Sequence, residues 1–116
     1  MSSPTQRTLE WLRGQGYTAQ VVERWNVHAR VRVDLFQCID VVAIGNGQII
    51  GVQACSGGDH AKRKAKALAI PALRTWVECG GTFWVVSWSK RGPRGKRKVW
   101  TERADEVDLG EIVMSV

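Results

Sequence analysis

Hydrophobic and polar positions change period several times along the chain of 116 residues. Over Thr5–Arg13, Leu9 and Leu12 recur with Thr5 and Thr8 at a spacing that predicts one face of a helix. Ser3 supplies a capping side chain, Pro4 suits the first helical position, and Gly14 and Gly16 end the segment. Tyr17–Trp25 reads as a strand centred on Val21 and Val22. Asn26–Arg32 is either a loop or the lead-in to the next strand. Asp34–Ile44 is a nearly continuous apolar run rich in β-branched residues, as expected of a strand covered on both faces. Gly45-Asn46-Gly47 places an Asn-Gly pair between two apolar runs, which predicts an antiparallel hairpin returning through Gln48–Cys55. Ser56-Gly57-Gly58-Asp59 breaks that strand, and Asp59 is placed to cap the next helix.

The helical period returns in His60–Ile70, where Ala61, Ala65, Leu68 and Ala69 form a face of small apolar residues and Lys62, Arg63, Lys64 and Lys66 fill the remainder. Pro71 starts a second helical segment, Ala72–Cys79, closed by Gly80-Gly81. Thr82–Trp88 is a strongly apolar strand. Ser89–Lys98 is a loop with six basic residues, and Val99–Arg103 is expected to return as an edge strand. The acidic tail from Ala104 shows no assignable period. This order predicts an α/β fold in one domain over residues 1–116, with a mixed central sheet flanked by helices.

Charge narrows the class of partner. A net charge of +6 and a pI of about 9.7 favour a polyanion. Three widely spaced cysteines do not form a disulfide framework, the start MSSPTQRTLEW lacks the apolar core of a signal peptide, and no apolar run approaches a membrane span. The expectation is an intracellular, cytoplasmic protein that does not engage membranes. Zinc is not expected, because Cys38, Cys55, Cys79, His28 and His60 show no paired ligand spacing.

The chemistry gathers on the central hairpin. Asp40 interrupts an apolar run, and an unpaired buried carboxylate is costly or becomes neutral. A turn centred on Asn46-Gly47 sets Asp40 opposite Gln53, with Cβ atoms about 4.5–5.5 Å apart. Gln53 and Cys55 share a face. A divalent cation would resolve the burial, taking oxygen ligands from Asp40, Gln53 and a nearby backbone carbonyl. Asp34 is either a further ligand or a strand-end residue paired with Arg32.

An acidic residue on one strand of a hairpin, then Glu or Gln, any residue and Lys on the next, resembles the PD-(D/E)XK nucleases and their restriction-endonuclease-like αβββαβ core. The runs DLFQCID and GVQACSGGDHAKR are similar to small phage-type or Holliday-junction-resolvase-like members, and the likeness covers roughly Thr5 to Trp88. The resemblance implies Mg²⁺- or Mn²⁺-dependent hydrolysis of DNA. Asp40 would be the metal carboxylate, Gln53 would stand at the second acidic position, and Glu10 would be the acidic residue of the first helix. A homodimer is expected for a nuclease of this size on a duplex. Two positions depart from the pattern: Cys55 occupies the lysine place, and Gln53 is neutral. Lys62 is then the candidate to supply the missing charge. Cys55 reads as a small buried apolar residue. The rival reading is a catalytically inactive nuclease-fold module that binds nucleic acid; a third is a protein-interaction domain with an acidic partner.

Candidate nucleic-acid contacts are Arg30, Arg32, His60, Lys62, Arg63, Lys90, Arg91, Arg94, Lys96 and Arg97. Trp88 and Trp100 flank the basic loop and would either stack bases or pack on each other.

Overall fold

Asn46 and Gly47 take φ of 49° and 74°, the left-handed pair that a two-residue hairpin turn requires. In the computed structural model, which describes residues 3–114, this turn joins β4 (Val41–Gly45) to β5 (Gln48–Ser56) in antiparallel register, from Gly45 opposite Gln48 to Val41 opposite Val52. β1 (Thr18–Val21) pairs antiparallel with β4 on its outer side. β6 (Thr82–Arg91) lies parallel to β5, and β7 (Val99–Val107) returns antiparallel along it. The result is a mixed five-stranded sheet in the order β1-β4-β5-β6-β7, flanked by helices.

The helix α1 (Pro4–Gly14) starts with Ser3 Oγ accepting from the Gln6 N–H and buries Leu9 and Leu12 on one side of the sheet, against Ala19, Val41, Val52 and Trp88. Trp11, Trp84 and Trp88 form an aromatic group there, with ring centroids 6.2 and 6.3 Å apart. Trp88 therefore belongs to the core rather than to a base-stacking surface. Its indole N–H donates to Thr8 Oγ, which donates in turn to the Pro4 carbonyl. Replacing Thr8 by Val keeps the volume but strands that buried indole N–H. A loss of about 1–3 kcal/mol is expected, measurable by urea unfolding.

The other side of the sheet is covered by α2 (His60–Leu68), α3 (Pro71–Glu78) and α4 (Leu109–Met114), with Ala67, Leu73, Phe83, Val85 and Ile112 between them. Among the described residues no helix is long and apolar enough to cross a membrane.

Several elements depart from the sequence pattern. Tyr17–Trp25 is not one strand: β1 ends at Val21, and Arg24–Asn26 (β2) pairs with Val31–Val33 (β3) as a separate two-stranded sheet. Asp34–Ile44 is not one strand either, because Asp34–Asp40 forms a second tight reversal before β4 begins. Asp59 makes no capping hydrogen bond; its carboxylate accepts from Ser56 Oγ instead. β6 and β7 each run past the expected ends, which shortens the basic loop to residues 92–98 and turns Ala104–Val107 into strand.

Candidate metal centre

Two reversals bring the acidic residues together. The Asn46-Gly47 register continues past Val41 and Val52, so Asp40 meets Gln53: the Asp40 N–H donates to the Val52 carbonyl at 2.8 Å, and Gln53 Nε2 donates to Asp40 Oδ2 at 2.9 Å. The Ala54 N–H donates to the same oxygen at 2.8 Å. The second reversal is tighter. Leu35 and Ile39 exchange both backbone hydrogen bonds across Phe36 and Gln37, whose φ values are 52° and 66°. One step outward, that register places Asp34 opposite Asp40. Bulky residues avoid the left-handed region, so this turn is held under strain by its surroundings. Val22 donates to the Asp40 carbonyl, and Glu23 follows directly.

Glu23, Asp34 and Asp40 thus offer carboxylate oxygens that all lie within 4.8 Å of one another. Asp40 is 3% exposed and the other two are half-buried. Burial, then the hydrogen bond with Asp34, pushes the Asp40 carboxyl up to about 8; the Ala54 N–H opposes this, and the charges of Asp34 and Glu23 add to it. At neutral pH the carboxyl keeps its proton, as two carboxyls sharing a site do.

The sequence pattern does not single out Glu23, which it places near the end of an ordinary strand. Its link to Asp40 depends on the β1–β4 register, which no local signal carries. Arg32 pairs with Glu23 at 3.0 Å and not with Asp34.

The remaining site candidates divide. β5 alternates, with Val52 packed on the α1 side and Cys55 on the α2 side, so Gln53 and Cys55 face α2. Glu10 is exposed on α1, across the sheet, where it accepts from Gln6; it does not join the carboxylates. Cys55 is buried, and burial first of all lifts its thiol to about 11, with Arg63 opposing. Arg63 is therefore the α2 cation whose field reaches the lysine place, while Lys62 is exposed. Lys64 turns away to Asp105 at 3.0 Å and Glu111 at 2.8 Å. His60 is not placed to contact nucleic acid, contrary to the expectation from its sequence position. It is 2% exposed, lies 2.6 Å from Ser87 Oγ and 3.4 Å from Asp105, and its burial lowers its pKa.

Lys90, Arg91, Arg94, Lys96 and Arg97 are all exposed at the β6–β7 tip. Because β6 is parallel to β5 and outruns it, Ser56 being level with Trp88, this tip projects from the end of the sheet that carries Asp40 and Gln53. Trp100 is partly exposed with Arg7 stacked 3.9 Å over its ring and Lys90 at 5.3 Å; it does not pack on Trp88. A groove of about 490 Å³ lined by Phe36, Ile49, Trp76 and Cys79 is apolar and has no part in the carboxylate site.

No protein-family model matches the chain, and no curated protein matches it.

Proposed function

We propose that the chain is a divalent-cation-dependent deoxyribonuclease of the PD-(D/E)XK kind, acting on structured or branched DNA. The observation that carries this is the meeting of Asp34, Asp40 and Glu23 beside Gln53, at the sheet end from which the basic tip projects. The order α1, β1, β4, β5, α2, β6 supports a restriction-endonuclease-like core.

The donor set fits Mg²⁺ or Mn²⁺. Both ions prefer hard oxygen ligands, and three carboxyls lie within reach of one position. Such an ion would polarise a phosphate oxygen and favour ionisation of a nearby water. The chain's own residues do the rest. Asp40 is the anchor, fixed by Gln53 Nε2 and the Ala54 N–H. Asp34 and Glu23 complete the oxygen set. Arg63 supplies positive field on the α2 side, where developing phosphate charge would be met. The basic tip holds the DNA backbone without reading sequence.

This assignment separates the two helix cations. Arg63→Ala is expected to slow single-turnover cutting on the order of 10- to 100-fold, and Lys62→Ala much less.

The second reading is a binding module that has lost catalysis. Cys55 favours it, since a buried thiol raised to about 11 offers no charge at the lysine place. One experiment decides. Purified protein is incubated with branched, flapped and linear DNA in Mg²⁺, Mn²⁺ or EDTA. Metal-dependent cutting lost in Asp40→Ala supports the nuclease; salt-sensitive binding without cutting supports the module.

A further inference from the structure

The β2–β3 hairpin is an arm. It forms its own two-stranded sheet outside the main one, and a lone two-stranded hairpin has little stability in water. Its surface is nonetheless open and apolar: Trp25 is 57% exposed, Val27 72% and Val31 50%. Residues 24–33 contain Arg24, Arg30 and Arg32 and no acidic residue. Arg32 is held at the base by Glu23, so Arg24 and Arg30 carry the outward charge.

The tip is organised rather than loose. Asn26 Oδ1 accepts from the N–H groups of both His28 and Ala29. Arg30 closes the turn at a φ of 55°, a conformation that glycine would adopt without strain. An arginine kept where glycine suits the backbone better points to a use for its guanidinium.

From these features we propose that the β2–β3 arm enters the major groove of duplex DNA, with Arg30 leading and Trp25, which the register sets on the same ribbon face as Arg32, against the base edges. The proposal takes its substrate from the nuclease reading above and adds the form of that substrate and the element that grips it. Two strands about 4.8 Å apart with their side chains fill a groove about 12 Å wide and are too broad for one of about 6 Å. The arm has the sign of charge that a phosphate-walled groove attracts, whereas an identical arm on a second copy would be repelled.

The test uses the full chain in EDTA, so that nothing is cut. Fluorescence anisotropy measures binding to a short duplex and to one of its single strands. Arg30→Gly relieves the backbone and is expected to melt at or above the wild-type temperature. Its duplex affinity should fall about tenfold and its single-strand affinity less than about twofold. Trp25→Ser, at an exposed position, should show the same pattern. Unchanged duplex binding in both variants overturns the proposal, as does an equal loss on both DNA forms or a wild-type chain that binds no duplex. A wild-type dimer that Trp25→Ser converts to monomer, with duplex affinity intact, also overturns it and assigns the arm to a second copy. The two readings fail separately. A protein that shows the arm-dependent pattern yet cuts nothing in Mg²⁺ or Mn²⁺ removes the hydrolysis and leaves the arm. A protein that cuts while Arg30→Gly binds normally removes the arm alone.

Discussion

Asp40→Asn is expected to make the metal-free protein more stable at about pH 8 and, on the proposed nuclease function, to abolish DNA cutting. The folded chain raises the Asp40 carboxyl from 3.8 to about 8. Between those values the folded state holds a proton that the unfolded chain has released. Stability therefore falls as pH rises through that window, by up to about 1.4 kcal/mol per pH unit from this group. Asparagine copies the protonated acid. Its carbonyl oxygen accepts from Gln53 Nε2 and the Ala54 N–H, and its NH₂ faces Asp34 where the acidic proton stood. The variant should gain up to about 5 kcal/mol at about pH 8, and its melting temperature should depend less on pH between about 4 and 8. Melting curves in EDTA across that range check the sign. A variant as pH-sensitive as the wild type would show that Asp40 is not the titrating group. Loss of cutting together with a gain in stability separates a functional carboxylate from a structural one.

Replacing Arg94, Lys96 and Arg97 together by Ala is the second large effect. All three are exposed on the loop between β6 and β7. Their removal should leave the unfolding free energy within about 0.5 kcal/mol. If each meets a phosphate, the slope of log K against log salt falls by about 2–3, with affinity down on the order of 10- to 100-fold near physiological salt. Anisotropy titrations over a salt series, in EDTA, measure both. An unchanged slope would return the loop to an ordinary solvated hairpin tip.

Part of this arrangement is legible in the sequence because its causes are local. The Asn46-Gly47 turn fixes a register, and the register alone sets Asp40 against Gln53. Ser3, Leu9 and Leu12 mark α1 and its buried face. Other parts have distant causes. Phe36 and Gln37 make a turn that their residue types do not announce, so an apolar run that reads as strand hides the Asp34–Asp40 reversal. The β2–β3 arm buries little, and without a buried face alternation leaves no period to read. Glu23 joins the site through the edge-strand register, and His60 is drawn inward by Ser87 and Asp105, 27 and 45 residues away. β7 runs on past Arg103 because it stays paired with β6 as far as Phe83 opposite Val107, a distant partner, while its charged composition, common at a sheet edge, reads as an acidic tail.

Manganese titration by calorimetry, on wild-type protein and on Asp40→Asn, tests the central assignment without any DNA. A cation held by Asp40, Asp34 and Glu23 must displace the Asp40 proton, so saturable binding should tighten as pH rises toward about 8 and vanish in the variant. Binding that is absent, independent of pH, or equal in Asp40→Asn would contradict it.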